Sequence, residues 1–101
     1  MPIILVTTTT KPEGVKWFGE TTPENAEIAN KIREWQDTLP GLTRMGNEFI
    51  TDDIRVQRIR FETVEDYAHY TNESIKNPYW VARKKYSLLN GITADAVEEF
   101  V

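Results

Sequence analysis

The spacing of apolar and polar positions changes several times along the chain, and each change marks a predicted strand or helix. Residues 3–10 form a short uncharged run that is rich in β-branched side chains, which predicts a strand. Ile3 and Leu5 have one parity and Ile4 and Val6 the other, so this strand is apolar on both faces. A strand of this kind must be covered on both faces.

Three stretches carry apolar residues at helical spacing, and each follows a residue that caps helices. The predicted caps are Thr22, Thr63 and Asn77, with a proline in the first turn of the first and third helices. The predicted inward stripes are Ile28, Ile32, Trp35 and Leu39 in the first helix, Val64, Ala68, Thr71 and Ile75 in the second, and Tyr79, Val81, Ala82, Tyr86, Leu88 and Leu89 in the third.

Three further runs predict strands at 42–50, 54–61 and 93–101. Gly46 indicates a bulge in the first of these. The apolar alternation of the second changes phase, so either a bulge intervenes or both faces are partly buried. The order of elements predicts one α+β domain over 1–101 with a ferredoxin-like βαββαβ fold and an extra helix before the last strand. Right-handed crossovers place the first strand in the middle of a four-stranded antiparallel sheet, beside the third.

The two-sided first strand also predicts a dimer, because the helices cover only one face of this sheet. Leaving two or three Ile or Val side chains exposed forgoes roughly 1.5–3 kcal/mol each. That sum is comparable to the stability of a whole small domain, about 5–15 kcal/mol. The sequence therefore predicts a homodimer in which two sheets pack face to face.

Composition narrows the classes of function. The net charge of −4 argues against a nucleic-acid backbone or an anionic membrane as partner. The absence of cysteine excludes disulfides and thiolate sites, and a single histidine leaves only carboxylates for a metal, so no metal site is predicted. No signal-like segment or membrane-length apolar stretch occurs, which predicts a cytoplasmic protein. No cofactor is predicted.

The chain resembles the dimeric α/β-barrel superfamily, the small proteins related to antibiotic-biosynthesis monooxygenases. The residues that carry the resemblance are Leu39-Pro40-Gly41, Arg60-Phe61-Glu62-Thr63 leading into Glu65-Asp66-Tyr67, and Asn90-Gly91-Ile92. The resemblance covers nearly the whole chain and implies the ferredoxin-like fold and the dimer. The family includes cofactorless oxygenases, haem-degrading enzymes and isomerases. The first strand has threonines where the haem-degrading members have an asparagine, so no catalytic residue is carried over.

Three aromatic residues are predicted to bind a ligand. Trp17 and Phe18 form an apolar patch in an otherwise polar connection, and Trp80 projects from the polar side of the third helix. Aromatic side chains outside the inward stripes line ligand pockets or seal interfaces. Packing against one another or against the second copy is the alternative for all three.

Arginines crowd the predicted third strand at positions 55, 58 and 60. Arg58 and Arg60 share a parity with Ile54 and Val56, which points them into the space between two sheets, where an unpaired guanidinium costs several kcal/mol. Their partner is either a carboxylate of the protein or an anionic ligand, and both are predicted as ligand-binding residues. The lone His69 projects away from the inward stripe of its helix and is expected at the surface.

Three functions remain compatible with these patterns. The first is a cytoplasmic homodimer that binds a small organic molecule, aromatic or anionic, between sheet and helices. The second is a cofactor-independent oxygenase or isomerase, and the third is a structural or regulatory dimer with no ligand. A buried Tyr, His or Arg aimed into a cavity would favour the enzyme.

Overall fold

The computed structural model describes all residues from 1 to 101. The elements are β1 (Ile3–Thr10), a 3-10 turn (Phe18–Glu20), α1 (Pro23–Thr38), β2 (Leu42–Thr51), β3 (Ile54–Phe61), α2 (Val64–Ser74), α3 (Pro78–Leu89) and β4 (Thr93–Phe100). The strands form one antiparallel sheet in the order β2-β3-β1-β4. The predicted α+β ferredoxin-like fold, with an extra helix before the last strand, is therefore confirmed.

Each helix begins at the cap that the sequence indicates. Thr22 Oγ1 accepts a hydrogen bond from a backbone N–H of the first turn of α1 at 3.0 Å, and Thr63 Oγ1 does the same for α2 at 3.1 Å. Asn77 Oδ1 accepts two such bonds, at 2.9 and 3.2 Å. These bonds satisfy N–H groups that a helix cannot pair internally, so they fix where the chain turns from extended to helical.

The two faces of β1 are both apolar, as predicted. Ile3 and Leu5 are buried beneath the helices, where they pair across the ladder with Phe61 and Ile59 of β3. The intervening side chains of β1 point to the opposite face, which no helix covers and which is called the open face below. The phase change in β3 reflects burial on both faces, with Val56 buried on the open face.

The predicted irregularity in β2 is present. The register between β2 and β3 shifts between Arg44 and Asn47, around Gly46, whose φ is +94°. The extra residue in the bulge re-aims the rest of β2, because side chains alternate strictly along a strand. Phe49 accordingly lies opposite Arg55, on the side of the helices.

The predicted inward stripe of α2 is wrong. Val64 and Ile75 are 50% and 72% exposed, whereas Tyr70 and Ser74 are buried. The rings of Tyr67 and Tyr70 each lie 5.2 Å from the ring of Phe61. Two aromatic rings on a buried Phe remove more apolar area from water than one Val and one Ile, so they decide the rotation of the helix.

The predicted inward stripe of α3 is right at Tyr86, which packs against the buried Phe18, but wrong at its C-terminal leucines. Leu88 and Leu89 are 79% and 75% exposed, whereas Trp80 packs against the hydrophobic core. Trp80 and Arg83, which the sequence places on the polar side, lie on the inner face. Apolar periodicity shows that a helix has an apolar stripe, but it does not show which surface that stripe covers.

Two of the sequence motifs, Leu39-Pro40-Gly41 and Glu65-Asp66-Tyr67, come into contact at Gly41. This residue has φ +68°, in the left-handed region, and a Cβ built on it would overlap the carboxylate of Asp66. The backbone oxygen of Gly41 also accepts a hydrogen bond from Glu62 N at 2.9 Å. The glycine therefore serves both the turn into β2 and the approach of α2.

Gly41→Ala is expected to destabilise the protein more than the matched variant Gly46→Ala. A left-handed alanine costs about 1–2 kcal/mol at either position. Only at Gly41 must a neighbouring side chain also move, because nothing lies within 4 Å of a Cβ at Gly46. Urea unfolding measures both free energies, and equal losses in the two variants would contradict the role given to Asp66.

Candidate functional site

The sheet surface beneath the helices changes from apolar to polar along its length. Taken from one end to the other, β1 presents Ile3, Leu5, Thr7 and Thr9, and β3 presents Phe61, Ile59, Gln57 and Arg55 opposite them. The first half of this surface is the hydrophobic core. The second half, which we call the polar half, lies towards the β2–β3 hairpin and is the candidate site.

Three aromatic rings form a wall over the apolar half, where Tyr70 belongs to the hydrophobic core and Trp35 and Trp80 pack against it. Trp35 of α1 stacks on Tyr70 of α2, with ring centroids 5.7 Å apart and planes at 26°. Trp80 of α3 lies 5.8 Å from Tyr70 and 6.2 Å from Trp35. One ring comes from each helix, so the wall depends on the packing of all three helices.

The polar half also contains arginines, each partly covered by a tryptophan. The guanidinium carbon of Arg83, on the inner face of α3, lies 4.3 Å from the ring centroid of Trp80. The guanidinium carbon of Arg55, on β3, lies 4.8 Å from the ring centroid of Trp17. Cation–π contacts of this kind orient a guanidinium but leave its N–H donors available in the plane of the group.

These arginines have no acidic partner. Neither Arg55 nor Arg83 belongs to any of the salt bridges of the chain, and nor does Arg33 of α1. The Nε atom of Arg55 is buried and has no hydrogen-bond partner. A buried donor without a partner is unfavourable, because the group has lost its water and gained nothing in return.

Burial and mutual repulsion act on both groups. Burial lowers the pKa of Arg83 from its usual value, and the positive charges of Arg55 and Arg33 lower it further. Burial also lowers the pKa of Arg55, with a further contribution from Arg33. In each case the protein disfavours the charged form, so a negative charge placed between these groups would be attracted by both.

The tyrosines beside this site hold their protons. Burial raises the pKa of Tyr70, although the charge of Arg83 and a hydrogen bond with Gln36 partly oppose this shift. Burial and the carboxylate of Glu98 raise the pKa of Tyr67 to about 12, and the Tyr67 hydroxyl donates to Glu98 Oε1 at 2.8 Å. Tyr70 therefore keeps its proton and does not add a negative charge to the wall.

An open depression borders the polar half beside the β2–β3 hairpin. It has a volume of about 470 Å³, and its walls include Trp17 and Phe49, whose ring centroids lie 6.1 Å apart. Trp17 is held by a hydrogen bond from its Nε1 to the backbone oxygen of Asp52 at 3.2 Å. The indole ring of Trp17 therefore lines this depression and also lies against Arg55, which is not itself among the lining residues.

Two of the five predicted ligand-binding residues lie against arginines beneath the helices. Trp17 and Trp80 each cover an arginine of the polar half. Phe18 is buried nearby, with its ring 5.5 Å from that of Tyr86, and acts as packing between the 3-10 turn and α3.

The two predicted arginines lie elsewhere. Arg58 and Arg60 are on the open face, as their parity predicts, with Glu48 at 3.5 Å from the first and Glu62 at 2.5 Å from the second. The carboxylate partners that the sequence analysis offered as the alternative to an anionic ligand are thus present for both. Their role in binding a ligand stays a prediction.

Sequence reasoning missed Arg83, Tyr70 and Gln36. Arg55 was noticed, but its parity matches that of Ile59 and Phe61, which is the signal that places it beneath the helices. No comparable signal marks Arg83, because its orientation depends on the rotation of α3.

His69 is exposed, as expected. No cluster of three or more His, Asp or Glu side chains is arranged to hold a metal ion, and none of the helices has the length and apolarity needed to cross a membrane.

Neither the known family models nor the curated proteins contain a match to this chain. Among solved structures, the chain is similar to SnoaB, described as a cofactor-independent oxygenase from Streptomyces nogalater, in the crystal structure of one of its mutants. The TM-score is 0.60 at 10% sequence identity, and the similarity covers 99% of this chain and 92% of that one. At this identity the comparison shows the fold, and it confirms the fold expected from the resemblance to the dimeric α/β-barrel superfamily.

Proposed function

We propose that the protein is a cytoplasmic homodimer that binds a small organic ligand between its sheet and its helices. The observation that carries this proposal is the buried, unpartnered Nε of Arg55 in a layer walled by Trp17, Trp35, Tyr70 and Trp80. A layer that serves only stability fills such positions with apolar groups, because an unpaired buried charge opposes folding. Uncompensated polar groups beside aromatic rings are typical of ligand sites.

The dimer rests on the open face. Ile4 and Val6 of β1 lie there beside Val97 of β4, which is 60% exposed in the single chain. Arg58 and Glu48 form an ion pair on the same face. Apolar side chains in the middle of a sheet and charged pairs near its edge are the usual composition of an interface core and rim.

Binding of an aromatic compound tests the proposed function. We expect 2-naphthoate or its neutral analogue 2-naphthamide to bind saturably, with one molecule per chain, in isothermal titration. Trp80→Leu should weaken binding about threefold to tenfold, because it removes one ring of the wall. Val81→Ala, the next position of α3 but on the exposed side, should have no effect. Absence of saturable binding by either compound would contradict the proposal and favour a structural dimer.

A cofactor-independent oxygenase is the second candidate. It is supported by the fold shared with SnoaB, whose description names that activity, and by Arg83 and Tyr70, which lie in the site. Guanidinium groups without counter-ions lower the pKa of a phenol bound beside them, which favours the electron-rich anion of a hydroxylated aromatic compound. Oxygen uptake in the presence of a quinol-type compound distinguishes this activity from binding alone.

A further inference from the structure

We infer, resting on the proposed function, that the ligand is an aromatic compound carrying a carboxylate or a similar oxyanion, which Arg55 and Arg83 bind from two sides. Arg55 projects from the sheet towards the helices and Arg83 lies on the inner face of α3 against Trp80, near enough for the charge of Arg55 to act on it. The anionic group lies between them, and the ring of the ligand lies against the aromatic wall.

The distribution of charge supports an anion specifically. The chain has 16 acidic and 12 basic residues, so acidic partners are plentiful. Outside the polar half, Arg44, Arg58 and Arg60 each have a carboxylate within salt-bridge distance. Arg33, Arg55 and Arg83 have none. Arg33 is exposed on α1 and bonds Asn30, so Arg55 and Arg83 are the arginines without a carboxylate that lie beneath the helices, where their effect on an anion is strongest.

The hydrogen-bonding geometry supports a planar oxyanion. The Nε and one Nη of a guanidinium form a fork that matches the two oxygens of a carboxylate. In Arg55 the Nε donor is buried and free, and the ring of Trp17 covers the face of the group without using its donors. The ring of Trp80 covers the face of the Arg83 guanidinium in the same way. Both groups are thus held in position before the ligand arrives, which reduces the entropy lost on binding.

The aromatic part of the ligand follows from the wall. Trp35, Tyr70 and Trp80 pack on one another beneath the helices, and the ring of Trp80 lies against Arg83, so a ring attached to an anion at Arg83 would meet aromatic neighbours. Phosphate or sulfonate groups on a ring offer the same paired oxygens as a carboxylate. The common chemistry is an oxyanion attached to a ring.

The test compares 2-naphthoate with 2-naphthamide, which has the same shape and no charge, by isothermal titration at fixed salt. We expect the amide to bind roughly tenfold to hundredfold more weakly, since it loses hydrogen bonds to charged donors. Arg55→Gln and Arg83→Gln should each weaken naphthoate binding while leaving amide binding almost unchanged. Arg44→Gln, which also removes one positive charge but from a surface ion pair with Asp37, is the matched control.

The other outcomes distinguish failure of this inference from failure of the proposed function. Equal affinity for the acid and the amide would overturn the inference while leaving the proposed function standing, and this comparison needs no variant to fold. Naphthoate binding that survives both glutamine substitutions would place the anion elsewhere and also overturn it. Inorganic phosphate that competes as strongly as naphthoate would show that the aromatic ring does not contribute to binding, and it would overturn the aromatic part of the inference. Absence of binding by both compounds would overturn the proposed function together with the inference.

Discussion

Val6→Lys is expected to convert the dimer into a monomer. Val6 lies in the middle strand of the sheet, opposite Arg58 on one side and Val97 on the other, with its side chain on the open face. A lysine there would be buried against a second sheet beside the like charge of Arg58, which costs several kcal/mol. A loss of about 4 kcal/mol weakens the dimer about a thousandfold.

Light scattering across a range of protein concentrations measures this change. Leu88→Lys adds the same charge at a position of α3 that is exposed and remote from the open face, so it should leave the mass of the particle unchanged. A native protein that is already monomeric, or a Val6→Lys variant that stays dimeric, would contradict the proposed interface.

Arg83→Met is expected to stabilise the protein in the absence of ligand and to abolish tight binding of an oxyanion. The substitution keeps the long aliphatic stem and removes a buried charge that no carboxylate neutralises. Removing an unpaired charge from a half-buried position relieves part of a desolvation penalty that reaches several kcal/mol for a fully buried ion. Some of that gain is offset by loss of the contact with Trp80, about 0.5–2 kcal/mol.

Urea unfolding of the ligand-free protein measures the stability, with Arg44→Met as the control. Arg44 is paired with Asp37 at 3.0 Å, so its replacement removes a surface ion pair and should not raise the free energy of unfolding. A clear loss of stability in Arg83→Met would show that Arg83 has a structural role. Opposite effects on stability and binding would show that this residue is retained for function.

The sequence predicts the architecture well, because the signals for it are local. The β-branched residues of β1, the caps at Thr22, Thr63 and Asn77 and the bulge at Gly46 each depend on a few neighbouring residues, and all are found in the structure. The order of elements and the handedness of crossovers then leave few topologies.

The rotation of α2 and α3 could not be predicted in the same way. It is decided by contacts between residues far apart in the chain, above all those of Trp35, Tyr70 and Trp80. Leu88 and Leu89 belong to the apolar stripe of α3 but are exposed. Periodicity gives the angular width of such a stripe and not its direction.

The candidate site was predicted in part. The layer between sheet and helices, the importance of Trp17 and Trp80 and the presence of arginines without certain partners all follow from the residues. The sequence did not show which arginine of β3 belongs to the site, because Arg58 and Arg60 have carboxylate neighbours that only the folded chain reveals. Arg55 has none, and its burial with a free Nε is visible only in three dimensions.

Two of the three tryptophans of the chain lie against a guanidinium, and the third, Trp35, lies 6.2 Å from one of them, Trp80. Indole emission responds to the charge and hydration around the ring. Any molecule that displaced water or neutralised those cations would therefore change the emission wavelength and the intensity of the native fluorescence. The protein therefore carries its own optical reporter of occupancy, and extracts could be screened for its natural ligand without any label.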